Sequence, residues 1–264
     1  MITESIRSMG DATGARAARH MDIAFRRMMS GPGSEQTDRW FRLITGEMHP
    51  MGNVALISAG DEVEAALGAI EPLIDCGAPA AAIFTAGVST AVSDAVKANG
   101  FAIEALMPAM AVDIDLLRPT ALPHGYEWAR IGGGKEGRAW AEALALGYGL
   151  PQPLADLFAP DALGVDMADG APVQFFAVLR DGRQVATSML YLEDGLAGIY
   201  CVSTLPEERR KGLGAHATAE ALHVARRLGY RVGVLQSSDA GHPIYLQLGF
   251  GDYAQVPMLI RMPN

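Results

Sequence analysis

The sequence predicts an α/β protein of the α+β type, in which a mainly antiparallel sheet is flanked by helices. Three apolar, β-branched segments are joined by Asp-Gly dipeptides typical of tight hairpin turns, and these segments are 173–179, 185–192 and 196–204. The third segment continues into a charged loop with two glycines. Apolar residues after the loop recur at the spacing of one helix face up to Gly229, which predicts a strand–loop–helix unit.

The N-terminal half also alternates between helices and strands. An apolar stripe predicts a helix over 15–29, and a turn containing glycine and proline follows it. The next predicted elements are a strand over 53–58, a helix over 61–74, a strand over 80–85, a helix over 89–98 and extended chain over 101–114.

This order of elements is repeated in the C-terminal half. Four identities recur at one offset between the halves: Gly100 with Gly249, Phe101 with Phe250, Ala105 with Ala254, and Pro108 with Pro257. The repeat predicts a duplicated fold, and an unrelated α/β cap is the alternative for the first half. Residues 117–127, which contain two prolines and a glycine, are expected to link the halves.

Composition limits the class of protein. The chain has 264 residues, 50% of them hydrophobic, and its formal net charge of -9 argues against nucleic acid as the main partner. Cys76 and Cys201 lie in apolar surroundings, so we expect free thiols in a reducing compartment. No run of 18 apolar residues and no signal peptide is visible, which favours a cytoplasmic protein that does not cross a membrane.

The loop over 204–215 has the features of a phosphate-binding site. Gly212 and Gly214 let the backbone approach a ligand closely. The helix that follows presents unpaired amides and the positive end of its dipole. Full positive charges are added by Arg209, Arg210 and Lys211.

Two other glycine-rich loops fit this segment poorly. A Walker A loop ends in Gly-Lys-Ser/Thr, which is absent here. Gly212-x-Gly214-x-x-Ala217 satisfies the bare Rossmann pattern, but the glycines of that pattern follow the strand directly. The next strand, over 231–236, also lacks the acidic residue that a Rossmann site requires.

Two ordered motifs resemble those of the GCN5-related N-acetyltransferase (GNAT) family. Arg209-x-x-Gly212-x-Gly214 resembles the acyl-CoA loop of the family, and the segment from Tyr245 to Phe250 resembles its terminal Tyr-x-x-x-Gly-Phe motif. The interval between the motifs holds one helix and one strand, as the family requires. The resemblance implies a GNAT-type mixed sheet.

For the whole chain, the resemblance implies a tandem GNAT-like protein with two lobes. A degenerate GNAT-like lobe is expected over 1–118 and a catalytic GNAT domain over 126–264. The first lobe has no Arg-x-x-Gly-x-Gly loop, so we expect no acetyl-CoA site there. Trp140, Tyr148 and the 157–158 pair are candidates for the wall of the acceptor pocket, with ordinary core packing as the alternative.

The resemblance also implies acetyl-CoA as the acyl donor, with no metal. Backbone groups at the end of the 196–204 strand would bind the pantetheine arm, and those of the loop would bind the pyrophosphate. The residues implied are Val202, Ser203, Thr204, Arg209, Arg210, Lys211, Gly212, Leu213, Gly214 and Ala215.

Tyr245 is the candidate general acid, because a phenol can donate a proton to the departing sulfur; a packing role is the alternative. The general base is not identified, since segment 199–203 has no carboxylate. Water-mediated deprotonation and Glu193 are the two options. Ser237 and Ser238 stand where many members of the family have asparagine.

The sequence thus predicts a GNAT-family N-acetyltransferase that moves an acetyl group from acetyl-CoA directly to a primary amine of a small molecule. A non-catalytic acyl-CoA-binding regulatory module and a protein or peptide N-acetyltransferase are the alternatives. No nucleic-acid or membrane partner is expected. The sequence leaves open whether the chain forms a homodimer.

Overall fold

The structure is a computed structural model that describes residues 5–263. Helices α1–α8 in this range span Ile6–Met9, Thr13–Met29, Val63–Asp75, Thr90–Ala98, Lys135–Tyr148, Gln152–Leu157, Leu213–Arg227 and His242–Leu248. Strands β1–β11 span Ser34–Gln36, Trp40–Ile44, Asn53–Ile57, Ala80–Phe84, Ile103–Asp113, Tyr126–Ile131, Val173–Arg180, Arg183–Glu193, Leu196–Thr204, Val232–Gln236 and Gly251–Arg261.

These strands form one sheet in the order β1-β2-β3-β4-β11-β5-β10-β9-β8-β7-β6. The β3–β4 and β9–β10 pairs are parallel, and the other neighbouring strands are antiparallel. The predicted mixed, mainly antiparallel sheet is therefore confirmed. The predicted meander is also present, as β7, β8 and β9.

The two halves of the chain exchange their last strands. Strand β5 belongs to the first half but pairs with β10 of the second half, through partners such as Ala111 and Val234. Strand β11 belongs to the second half but pairs with β4 of the first, through partners such as Leu259 and Ala82. Because β5 and β11 also pair with each other, the centre of the sheet alternates between strands of the two halves.

Alternating side chains on these strands pack against two helical layers. On β3, Ala55 and Ile57 pack against α3 and α4, whereas Val54 and Leu56 face the layer that contains α2. The α2 layer continues across both halves, since one hydrophobic cluster includes Phe41 of β2, Met21 of α2 and Trp140 of α5. Helices α7 and α8 cover the opposite face in the second half.

The sequence did not predict strands β1, β2 and β6, or the exchange of β5 and β11 between the halves. The elements predicted between 53 and 98 lie within two residues of those observed. The short strands β1 and β2 carry few β-branched residues, and β6 begins inside the predicted linker at Tyr126. Among the described residues, no helix combines the length and apolarity needed to cross a membrane.

Candidate active site

A gap separates the carboxyl ends of the parallel strands β9 and β10. These strands pair only at Ala197–Gly233 and Gly198–Val234. Beyond these residues β10 stays with β5 as far as Gln236, while β9 stays with β8. We use "the gap" for the space between β9 beyond Gly198 and β10 beyond Val234. Clefts outside the carboxyl ends of parallel strands are common ligand sites in α/β folds.

The equivalent strands of the first half leave no such space. Strands β3 and β4 pair at four successive positions up to Ile57–Phe84, and the Thr85 amide then donates to the Ile57 carbonyl at 3.0 Å. A Cβ on Gly60 would collide with the carbonyl of Gly87, so the chain beyond the strands is also closely packed. The two halves therefore differ at the carboxyl ends of their parallel strands.

A β-bulge interrupts β9 beside the gap. Tyr200 pairs with Met189 and Ser203 with Thr187, so Cys201 and Val202 together oppose one residue of β8. Cys201 has φ +52°, a left-handed conformation that is uncommon outside glycine. Burial raises the pKa of its thiol to about 12. The thiol is therefore neutral at physiological pH.

The predicted phosphate loop ends at a helix terminus whose first amides have no partner within the helix. Arg210 and Gly212 both have left-handed φ, of +63° and +78°, which folds the loop sharply back before α7. Gly212 is the N-cap of α7 and provides no side-chain cap, so the amides of 213–215 have no partner within the helix. The first backbone bond into this turn is from the His216 amide to the Gly212 carbonyl, at 3.0 Å.

Two of the three basic residues of the loop are engaged by the protein itself. Arg209 donates through Nη2 to the Gly147 carbonyl at 2.8 Å, and this bond ties the loop to the end of α5. Lys211 donates through Nζ to Glu208 Oε2 at 2.6 Å and to the Tyr126 hydroxyl at 3.0 Å. The side chain of Arg210 is exposed. The loop therefore offers mainly backbone amides, with Arg210 as its freely placed charge.

Glu208 joins the loop to two strands at the sheet edge. It accepts from Arg180 Nη1 at 3.0 Å and from the Tyr126 hydroxyl at 2.5 Å, in addition to Lys211. The hydrogen bond from Lys211, followed by that from Tyr126, lowers the pKa of Glu208 to about 2. Its carboxylate is therefore ionised throughout the ordinary pH range and holds the loop in place.

We expect Glu208→Gln to lower the melting temperature, and to do so more at pH 7 than in acid. Because the pKa of Glu208 is about 2 in the folded chain and near 4.5 when unperturbed, its stabilising contribution is complete above about pH 4.5. The contribution is lost as the pH falls towards 2. Melting curves at pH 7 and pH 3 check this. Glu207→Gln is the control, since Glu207 pairs with Arg183 in a mostly exposed contact; an equal loss for Glu208→Gln at both pH values would contradict the assignment.

Val202, Ser203 and Thr204, which are predicted to bind the donor, lie at the end of β9 just before this loop. Ser203 is buried, and its hydroxyl bonds with the Thr187 hydroxyl at 2.8 Å, so it has only backbone groups to offer. The side chains of Val202 and Thr204 face Gly214, where an added Cβ would lie 3.7 Å and 3.6 Å from them. The strand end and the start of α7 are thus in contact.

Tyr245 lies on α8 and is half-buried. Its ring packs edge-on against Phe250, with centroids 5.7 Å apart. Burial raises the pKa of its phenol to about 12, and the nearby Thr218 hydroxyl partly opposes that shift. Gly241 packs closely against the Tyr245 ring, because a Cβ at Gly241 would lie 2.9 Å from that ring and 3.4 Å from Ser237 Oγ. The phenol is therefore held as a proton donor.

Tyr148, a predicted wall residue, belongs to the same site. It ends α5 next to Gly147, which is so close to Ser203 that a Cβ would lie 2.6 Å from Ser203 Oγ. Burial of its hydroxyl raises the pKa of Tyr148, and the nearby ionisable groups of Tyr245 and Cys201 disfavour its ionisation further, although the residue as a whole is 51% exposed. Trp140, by contrast, is fully buried and bonds with the Phe176 carbonyl, so it is a core residue.

Helix α2 of the first half packs against the base of the gap, which the sequence did not indicate. Gln236, the last residue of β10, donates to the Ala17 carbonyl at 2.9 Å. His20 packs onto Gly198, and its Nδ1 lies 2.8 Å from the Tyr200 hydroxyl. Burial lowers the pKa of His20 to about 4, so it is neutral at pH 7. This contact joins residues that are far apart in the sequence, so only the three-dimensional structure reveals it.

Glu193 is too distant to be the general base. It ends β8 opposite Leu196, at the start of β9, whereas the bulge at Cys201 lies five residues further along the strand. At the rise of a β-strand this separation is about 17 Å. Among the described residues, no group of three or more His, Cys, Asp or Glu is arranged to hold a metal ion.

Comparison with known proteins shows which family the second half of the chain resembles. Residues 140–250 match the model of the acetyltransferase (GNAT) family. No curated protein matches the sequence. The matched segment contains both motifs identified above, the loop at Arg209 and the Tyr245 motif.

Solved structures with the same fold cover nearly the whole chain. A GCN5-related N-acetyltransferase from Kribbella flavida is 21% identical, with a TM-score of 0.64, and the match covers 94% of this chain and 96% of that one. One from Sphaerobacter thermophilus is 14% identical, with a TM-score of 0.62 and coverages of 96% and 93%.

A tandem GNAT protein from the clavulanic acid biosynthesis pathway is 13% identical, with a TM-score of 0.57 and coverages of 99% and 96%. At such identities the likeness establishes the fold alone, which is that of two GNAT lobes in one chain. Together with the family match, it confirms the resemblance found in the sequence. Residues 140–250 are therefore similar to the GNAT acetyltransferase family, within a chain whose fold is that of tandem GNAT proteins.

Proposed function

We propose that the protein is an N-acetyltransferase that moves an acetyl group from acetyl-CoA to a primary amine of a small molecule. The observation that carries this proposal is that the end of β9 beside the gap contacts the start of α7, whose first amides have no partner within the helix. An extended pantetheine arm would lie along β9 beyond Gly198, where that strand edge has no neighbour in the described sheet. The pyrophosphate would then reach the amides of 213–215.

The residues around the gap suit transfer of the acetyl group. The backbone amide of Val202, displaced by the bulge, is available to bind the thioester oxygen and stabilise charge that develops there. When the amine attacks, the C–N bond forms and the C–S bond breaks. Tyr245 gives its proton to the departing sulfur, because its raised pKa keeps the phenol protonated.

We also propose that residues 126–264 form the catalytic domain and that this domain depends on the first lobe. Strand β5 comes from the first half, so the proposed domain depends on the 1–118 lobe for a neighbour to β10. Helix α2 of that lobe also packs beside the gap at Ala17 and His20. The first lobe would thus complete the acceptor cleft, and this enclosure favours a small amine over a long peptide.

Calorimetric titration of acetyl-CoA into three forms of the protein tests the donor site. The wild type is expected to bind, and Gly212→Ala to bind about tenfold more weakly, since an alanine at φ +78° costs about 1–2 kcal/mol to restore the loop. Gly182→Ala is the matched control, because Gly182 has nearly the same φ of +77° with open space around an added Cβ, and it lies in the turn between β7 and β8 outside the proposed site. No binding to the wild type, or equal weakening by both variants, would contradict the site.

A further inference from the structure

His242 and Asp252 form a pair beside Tyr245 that the chemistry above does not use. His242 opens α8, and its Nε2 lies 3.0 Å and 2.9 Å from the two carboxylate oxygens of Asp252 on β11. A carboxylate is an acceptor only, so Nε2 carries the hydrogen in this contact. The lone pair of the neutral ring therefore lies on Nδ1.

The pair lies on the same face of the sheet as Tyr245, at the level of the gap. Met110 of β5 pairs with Asp252 on one side and with Leu235 of β10 on the other. Directly paired residues share a face, so Asp252 and Leu235 point towards the α8 layer, about 10 Å apart. Val234 is the last residue of β10 that pairs with β9, so Leu235 is the first residue of β10 beside the gap.

Helix geometry brings His242 and Tyr245 together. Residues three apart in a helix are neighbours on its surface, with Cβ atoms about 5–6 Å apart. His242 keeps 28% of its side chain exposed, and within the described chain its Nδ1 has no hydrogen-bond partner. An imidazole nitrogen with a free lone pair therefore faces solvent one helical turn from the proposed general acid.

We propose that His242, oriented by Asp252, is the general base that deprotonates the acceptor amine. The inference rests on the proposed function. Nδ1 of His242 takes a proton from the ammonium form of the acceptor and later releases it to solvent. The free amine then forms the C–N bond as the C–S bond breaks. Tyr245 protonates the sulfur and regains a proton from the new amide nitrogen through water, so every proton is accounted for.

Other groups near the gap are poor bases. The pKa values of Cys201 and Tyr148 are raised, so both stay protonated and neutral at neutral pH. Glu193 lies at the other end of β9. His20 is buried with its Nδ1 bound to a tyrosine hydroxyl. His242 combines a free nitrogen, an orienting carboxylate and access to solvent.

Several titratable groups lie near His242 in the described part of the chain, and Arg118 contacts the far end of α8 through the Gln247 carbonyl. Asp252 faces it from β11, Tyr245 follows it on α8, and Asp239 precedes it in the loop. Helix α7 packs against α8, and from it the uncharged Thr218 faces Tyr245. The pH dependence of the variant's deficit is therefore expected to follow the protonation of the acceptor amine.

Steady-state kinetics of the full chain over pH 6–10 test the proposal, with the primary amine that gives the fastest CoA release in a screen. At pH 7 we expect His242→Gln to lower kcat/KM for the amine about 100-fold, and Asp252→Asn to lower it about tenfold. The deficit of His242→Gln should shrink to a few-fold near pH 10, where the acceptor loses its proton to solvent unaided. Acetyl-CoA affinity, measured by calorimetry, should stay at the wild-type value in both variants.

His223→Gln is the matched control, since His223 pairs with Glu220 at 3.2 Å on α7 and has similar exposure. It should leave the pH profile unchanged. If His242→Gln binds acetyl-CoA and keeps the wild-type profile, the inference is overturned while the proposed function stands. A deficit that is the same at pH 7 and pH 10 would also overturn it, since that would indicate packing. A wild type that neither binds acetyl-CoA nor turns over would overturn both.

Discussion

Tyr245→Phe is expected to lower kcat about 100-fold while leaving the affinity for acetyl-CoA close to that of the wild type. The substitution removes only the hydroxyl, and the ring keeps its edge-on contact with Phe250. Without the phenol, the sulfur must leave as a thiolate or take a proton from water, and both routes raise the barrier. Steady-state turnover and calorimetric binding separate the two effects.

The same variant distinguishes an enzyme from a binding module. Since burial raises the pKa of Tyr245 to about 12, the wild-type rate should show no loss of the acid below about pH 11. Tyr253→Phe is the control, because Tyr253 is 43% exposed at the irregularity of β11 and is not placed in the chemistry. If both variants retained full turnover, Tyr245 would have a packing role only.

Separating the two halves of the chain is expected to unfold each of them, while the halves together refold into one protein. A fragment 125–264 lacks β5, so β10 and β11 lose a partner they share, and a fragment 1–124 lacks β11, which leaves β4 and β5 with unpaired edges. Isolated edges of this kind aggregate readily. Circular dichroism and gel filtration of each fragment, alone and mixed, measure the outcome.

A cut of the folded chain provides the control for this experiment. His124 and Gly125 are both exposed, so a protease site inserted between them can be cleaved after folding. The cleaved protein should keep its melting behaviour and its acetyl-CoA binding, because the exchanged strands hold the halves together. A soluble, acetyl-CoA-binding 125–264 fragment would contradict the structural importance of the exchange.

The sequence identified the parts of the site that lie close together along the chain. The loop from Arg209 to Gly214, and the motif at Tyr245, can be recognised because their function requires glycines and a phenol at fixed spacing. The strands β7 to β9 were predicted because hairpin turns and alternating side chains are local signals. The roles assigned to these residues remain predictions that the experiments above address.

The features that depend on distant pairing were not predictable. The sequences of β5 and β11 are ordinary apolar segments. No local sequence signal indicates which strand either of them pairs with. The contacts of His20 with Tyr200, and of His242 with Asp252, join residues whose meeting follows from that pairing. Lys211 shows a related limit, since its charge suggested a phosphate contact but is bound by Glu208.

The exchange of β5 and β11 also restricts how the protein can move. Domain closure around a ligand ordinarily uses a few hinge residues between bodies that share few backbone bonds. Here a rotation of one lobe against the other would break the backbone ladders of β4–β11, β11–β5 and β5–β10 together. A ligand of the gap would therefore have to enter and leave through motions of side chains and loops around it, on the faster timescales of such motions, while the shared ladders hold the two lobes in alignment.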